Sequence, residues 1–220
     1  QAGEQQEAIA LSLETLNLRV QIMPENHPDL ILSYDNLAYA YYKADDTENA
    51  KLWNMKALDS YREVFKVSAG LTDQNRYDYA VTLANYGVFM RNEDKLPEAK
   101  ETFTEVVDIM LEILGTEHRY VADYTYELGQ IALLQDDLDT AVKHVDSALK
   151  VYAQIEQPLS SRHFKSWLLK ADTLHQSQQT TALEALQLEL MNKLNTANPL
   201  NQENIDLAAE KFKALGLLEE

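Results

Sequence analysis

The sequence predicts an all-α protein built from tandem helix pairs, and three observations carry that expectation. Ala, Leu, Glu, Gln and Lys dominate the 220 residues, with only six Gly and five Pro, a balance that favours long helices over a turn-rich β fold. A short pattern centred on an alanine recurs at Ala8, Ala50, Ala99, Ala141 and Ala182, at intervals of 42, 49, 42 and 41 residues. Polar turns recur at matching places, in Lys43–Thr47, Asn92–Lys95 and Gln135–Asp137. Self-similarity at such a period marks a stack of supersecondary units.

The elements follow in order. Residues 4–23 read as the second helix of a unit without its first. Helix pairs follow over about 28–67, 73–114, 117–156 and 158–194. A last amphipathic helix, 202–216, carries Ile205, Leu207, Ala208, Phe212 and Leu215 and is expected to cap the apolar end of the stack. Together 1–220 reads as a single repeat domain, and the first residue, Gln1, suggests a fragment of a larger protein. Asn26-His27-Pro28-Asp29 has the form of a helix start, with Pro28 in the first turn and Asp29 at the positive end of the dipole. Pro97 and Pro158 open further helices. Helical periodicity is plain over Ala122–Leu134 and Leu138–Ile155.

Each pair has an internal packing signature. Ala50 is followed by Ala57, Leu58 and Tyr61, and Ala141 by Ala148, Leu149 and Tyr152. Thirteen residues before three of the alanines stands a large side chain followed by a small one: Leu37–Ala38, Tyr86–Gly87 and Leu128–Gly129. A small residue on each helix lets the two backbones approach, and its large neighbour fills the space beside them. One pair cannot bury its apolar face alone, so neighbouring pairs stack. Three departures stand out. Val106 takes the place of a second alanine, Leu169–Lys170 replaces the large-then-small pair, and seven extra residues fall around Lys66 to Asp73.

These residues resemble the tetratricopeptide repeat (TPR) family, whose standard unit has about 34 residues. The unit here is nearer 42, and Asn26-His27-Pro28-Asp29 with Asn36-Leu37-Ala38 is similar to the kinesin-light-chain subclass. The resemblance covers about residues 4–190. It implies a right-handed superhelical solenoid of antiparallel helix pairs, with first helices on the concave side and a bound peptide in that groove.

Composition narrows the function. The formal net charge of −17 repels phosphate backbones and anionic lipid surfaces, so neither nucleic acid nor membrane is an expected partner. A basic or neutral protein suits it better, although plain solubility also explains the charge. Cysteine is absent, which removes disulfides, thiolate metal sites and cysteine nucleophiles. No apolar run approaches the ~18 residues of a membrane helix. The expected compartment is the cytoplasm.

The chain shows no motif for chemistry. Its six glycines are too far apart for a phosphate-cradling loop, and Gly115, after a long helix, reads as a C-terminal cap. No two of His27, His118, His144, His163 and His175 have the four-residue spacing of a helical metal site, and His27 and His118 occupy related helix starts where they serve local packing or hydrogen bonds. Asp136, Asp137 and Asp139 lack the glycine and the terminal Glu of a calcium loop, so they, like Asp45 and Asp46, read as capped turns. Ser160 and Ser161 lie near His163 without a third group, and read as helix-cap residues. No catalytic residue, metal or cofactor is expected.

The resemblance implies where a ligand lies. Counting two residues either side of the large residue and five before it, the groove receives Leu32, Asp35 and Tyr39, then Val81, Ala84 and Val88, then Asp123, Tyr126 and Gln130. The residue before each large one is Asn36, Asn85 and Glu127. An amide both donates and accepts, so Asn36 and Asn85 suit a bound main chain; the alternative is a hydrogen bond between helices inside the stack. Glu127 breaks the series, so the third unit either favours a basic side chain or contributes nothing there. Twelve tyrosines, ten of them bunched at Tyr34–Tyr42, Tyr77–Tyr86 and Tyr120–Tyr126, divide between inter-helix packing and gripping a peptide. The expected activity is therefore protein or peptide binding. Self-association, or regulation of a catalytic domain elsewhere in a longer protein, are the alternatives.

Overall fold

The computed structural model describes residues 2–25, 27–67, 72–155, 161–196 and 202–217. They form ten α-helices: α1 (Ala2–Ile22), α2 (Pro28–Lys43), α3 (Thr47–Val67), α4 (Asp73–Asn92), α5 (Leu96–Leu114), α6 (Arg119–Leu134), α7 (Leu138–Gln154), α8 (Ser161–Gln176), α9 (Thr180–Thr196) and α10 (Gln202–Ala214). The fold class is the all-α helical repeat that the sequence predicts. The chain divides into two compact units, Gln1–Ile109 and Met110–Glu220. In the first, α2 packs on both α1 and α3, and α4 on α3. In the second, α6, α7, α8 and α9 pack in succession, and α10 closes on α8 and α9.

Four turns share one geometry. Asp45, Asp94, Asp136 and Gln178 have φ of 57° to 61°, in the left-handed region. The next residue in each case donates its N–H to the carbonyl five residues back: Asp46 to Tyr41, Lys95 to Met90, Asp137 to Ala132 and Gln179 to Leu174. That 6→1 bond closes the helix in a Schellman cap. Aspartate tolerates the left-handed region better than most side chains, whereas Gln178 has no such excuse. Gln178→Gly is expected to raise stability by about 0.5–1 kcal/mol, read as a higher urea midpoint at unchanged slope; a lower midpoint would count against strain at this turn.

The acidic residues of these turns act as caps. Asp46 Oδ1 accepts from Asn49 N at 3.1 Å and Asp137 Oδ1 from Thr140 N at 3.2 Å. The two helix-start histidines act alike: His27 Nδ1 accepts from Asp29 N and His118 Nδ1 from Tyr120 N, each at 3.2 Å. Gly115, with φ 78°, ends α5 by donating to Leu111 O. Pro28 and Pro97 lie in first turns. Asn26, Pro158, Ser160 and the segment 68–71, which holds Gly70 of the seven-residue expansion, lie outside the described residues.

The turns also set the packing register. Five residues past each left-handed residue stand Ala50, Ala99, Ala141 and Leu183, all at most 2% exposed. The first three are the alanines of the sequence pattern. The fourth is a correction: Leu183, not Ala182, fills the slot, and Ala182 is exposed. One residue of helix rotates a side chain by about 100°, enough to turn Ala182 to solvent. Ala8 is exposed as well. In the intact slots the small partner is required. A Cβ on Gly87 would lie 2.9 Å from Phe103 Cε2, and one on Gly129 would lie 3.0 Å from Val145 Cγ2.

Candidate functional site

Helix α2 divides cleanly. Leu30, Ile31, Ser33, Tyr34, Leu37, Ala38 and Ala40 are buried. Leu32, Asn36 and Tyr39, at four- and three-residue spacing, share the opposite face and are exposed, Leu32 at 47% and Tyr39 at 64%. Asn36 and Tyr39 line a groove of about 410 Å³ between α1 and α2, whose other wall includes Gln5, Ala8 and Ser12. Nearer the C-terminal half of α1, Asn36 also borders a smaller recess with Leu11, Thr15 and Ser33. Three hydrogen bonds join α1 to α2 beside the groove. Gln5 Nε2 donates to Lys43 O at 2.6 Å, and Arg19 Nη1 donates to Asp29 O at 2.6 Å and Ser33 Oγ at 2.7 Å.

On α4, Asn85 is exposed, Val81 and Val88 are half-buried, and Ala84 is buried. Both candidate asparagines thus face solvent. Ser12, Leu11 and Gln5 were not singled out from the sequence, although the 42-residue register that aligns Ala8 with Ala50 was a signal for that face.

Asp35 belongs to the interior of the first unit. It sits where α2, α3 and α4 meet, with Thr82 Oγ1 2.8 Å from one carboxyl oxygen and Tyr61 Oη 3.4 Å from the other. Burial is the main cause that pushes its carboxyl up to about 7; the nearby Asp78 adds to this, while the two hydroxyl donors oppose it.

The α6 positions are engaged within the second unit. Asp123, Tyr126 and Glu127 are buried, and Gln130 is half-buried. Tyr152 Oη donates to Asp123 Oδ1 at 2.5 Å, with Arg119 Nε 3.6 Å from the other carboxylate oxygen. Glu127 does hold a basic side chain, but it is Arg162 of α8, which forms an ion pair with it and lies over the Tyr126 ring. His163, stacked on Tyr152 with centroids 5.0 Å apart, is pushed down to about 4 by burial and by Lys193, which keeps the ring neutral at physiological pH. Burial, together with the Asp123 carboxylate, pushes the Tyr152 phenol up, so it stays protonated as a donor.

Among the described residues no helix is long and apolar enough to cross a membrane. Nor does any group of three or more His, Asp or Glu among them form a candidate metal site.

Two family models, both described as tetratricopeptide repeat, match residues 30–69 and 78–154, together more than half of the chain. The chain belongs to the tetratricopeptide repeat family. Solved TPR-like structures agree on the fold. A Podosopora anserina kinesin light chain with nearly identical TPR-like repeats superposes with a TM-score of 0.70 at 17% identity, over 87% of each chain. BtubC (BKLC) from P. vanneervenii gives 0.68 at 13% identity, over 99% of this chain and 84% of that one. The apo form of RapI gives 0.73 at 14% identity, over 97% and 59%. Among curated proteins, Clustered mitochondria protein homologs from Ajellomyces capsulatus and Coccidioides immitis are each 23% identical over 170 residues, 76% of this chain. The TPR chain spans only 13% of the length of those relatives. TPR repeats are generally non-catalytic interaction modules, and the fold implies protein partners.

Proposed function

We propose that the chain is a protein-interaction module that holds a peptide or protein segment on its exposed first-helix faces, as a scaffold or regulatory part of a longer protein. The observation that carries this is the split of α2: one face fills the core, while Leu32, Asn36 and Tyr39 stand exposed, the last two lining a groove. In the first unit, α2 offers these residues and α4 adds Asn85 with Val81 and Val88 at its edge. Tyr39 supplies apolar area with a polar tip. The asparagines supply main-chain donors and acceptors without demanding one side-chain sequence. Asp123 and Glu127 of α6 are buried and paired within the second unit, so the reading rests on the α2 and α4 positions. The net charge of −17 steers basic segments toward the chain and does not repel neutral ones. The likeness to a segment of the much longer Clustered mitochondria protein homologs supports a role inside a larger protein.

An array of basic and neutral 15-residue peptides provides the test. Binders are expected to lose about tenfold in affinity with Asn36→Ala plus Asn85→Ala, since each lost amide hydrogen bond is worth about 0.5–1.5 kcal/mol. Both side chains are exposed, so the variant should keep its melting temperature. Unchanged affinity in the folded double variant would remove the asparagines from the site.

A further inference from the structure

Asp35 and Thr82 place a polar contact beside the two exposed asparagines. Asp35 precedes Asn36 on α2, and Thr82 stands three residues, just under one turn, before Asn85 on α4. Thr82 Oγ1 is 2.8 Å from Asp35 Oδ1, so the contact joins two first helices across 47 residues of sequence. Helix α3 backs it. Asn54 Nδ2 donates to Thr82 O at 3.0 Å, and Tyr61 Oη lies 3.4 Å from Asp35 Oδ2. Repeat packing alone does not ask for a carboxyl here: Ala84 and Tyr126 take the same place, two residues before the large residue, in the next two units.

The contact depends on one proton. Thr82 Oγ1 is also 3.0 Å from Asp78 O, and a hydroxyl has a single proton to give. When Asp35 is protonated, it donates to Thr82 and Thr82 donates to Asp78 O. When Asp35 is charged, Thr82 must turn its proton away from Asp78 O to keep hold of α2. The surroundings offer that charge little. From α3 it meets the Tyr61 phenol, and from α4 the Thr82 hydroxyl and the Asp78 carboxylate, which repels it. Arg19 of α1 meets α2 at Ser33 Oγ, about 200° around the helix from Asp35. Even with both hydroxyls in reach, burial and Asp78 raise the Asp35 carboxyl to about 7. Asp35 is only half-buried, so a small separation of α2 from α4 lets water reach the charge and relieves it.

We propose that the Asp35–Thr82 contact is a proton-gated latch: with a proton on Asp35 it holds α2 and α4, and the Asn36 and Asn85 faces they carry, at one spacing, and loss of that proton to solvent lets the helices part and loosens the grip on a bound polypeptide. The latch rests, for its effect on binding, on the reading above that a ligand spans α2 and α4. Its geometry is independent of that reading, and the two fail separately.

The chain has no cysteine, so Asn36→Cys plus Asn85→Cys puts one spin label on each helix at exposed positions. Electron spin resonance is expected to show one narrow label spacing at pH 5.5 and a longer or broader one at pH 8.5, with circular dichroism unchanged. Adding Asp35→Asn, whose amide N–H still donates to Thr82, should keep the narrow spacing at both. Binding is then measured on the unlabelled protein with acetylated, His-free peptides selected at pH 5.5. If only the latched form binds and Asp35 titrates at about 7, affinity falls about thirtyfold by pH 8.5, and stays level in Asp35→Asn. A spacing indifferent to pH overturns the latch, and so does a pH response that persists in Asp35→Asn, since the histidines would then be its source. A spacing that responds while affinity does not keeps the latch and overturns a ligand lying across α2 and α4.

Discussion

Phe212→Ala is expected to destabilise the second compact unit by about 3–5 kcal/mol. Phe212 is fully buried, one of two α10 side chains with no exposed surface, the other being Ala208. It belongs to a cluster with Phe164, Trp167 and Leu174 of α8 and Leu186, Leu190 and Leu194 of α9. The truncation would remove a whole ring from the point where three helices meet. The surroundings cannot close that space without moving α10, whose 13 residues are too few to stay helical alone. Lys211 also pairs with Asp172 of α8 at 2.5 Å, a partly exposed pair worth at most about 1 kcal/mol. The effect should appear as a lower urea midpoint followed through Trp167, in the same cluster, and as lost amide protection over 202–214. Leu207, nearly half exposed on the same helix, is the control: Leu207→Ala should stay within about 0.5 kcal/mol of the parent. A Phe212→Ala loss no larger than the control's would mean that α10 does not anchor the end of the unit.

Phe212 also shows what the sequence makes legible. The 3.6-residue periodicity of α10 is local, so its inward face, Ala208 and Phe212, can be counted within one helix. The small slots at Ala50, Ala99 and Ala141 are legible for a related reason: a close helix crossing demands a small residue wherever it recurs. At the ends the same signal misleads. Leu183 fills the fourth slot with a large side chain, and an alanine one residue earlier imitates the pattern. Only the left-handed turn at Gln178 restores the register. On α2 the exposure of Asn36 and Tyr39 was legible, because the face count within that helix sets it. It was not legible on α6. A face count on a single helix turns Asp123 and Glu127 toward a ligand, but their partners arrive from far along the chain, Tyr152 29 residues and Arg162 35 residues away. Buried carboxylates need such partners, and no periodicity within α6 encodes them.

The same limit applies to Asp35, and there it has a consequence for pH. Thr82 Oγ1 lies 2.8 Å from Asp35 Oδ1 and 3.0 Å from Asp78 O, yet a hydroxyl has a single proton. A protonated Asp35 resolves the conflict: it donates to Thr82 Oγ1, and Thr82 donates to the Asp78 carbonyl. Tyr61 donates to the remaining oxygen, its own phenol held protonated by burial and by Asp35 and Asp78. The charged group that bears on Asp35 from α4 is Asp78, which adds repulsion, so burial and a like charge together raise the carboxyl to about 7. A folded-state value raised above the unfolded one means that the stability Asp35 contributes is complete below about pH 4 and lost as pH rises to 7. Asp35→Asn removes that titration and keeps, in its amide N–H, a donor for Thr82 Oγ1. The variant should therefore match the parent within about 1 kcal/mol at pH 4.5 and exceed it by about 2–4 kcal/mol at pH 8, the lower end reflecting the partial solvent exposure of the site. Chemical denaturation of both proteins across that range measures the widening gap. Parallel pH profiles would show that Asp35 titrates as an ordinary carboxylate and that the α2–α3–α4 junction tolerates its charge.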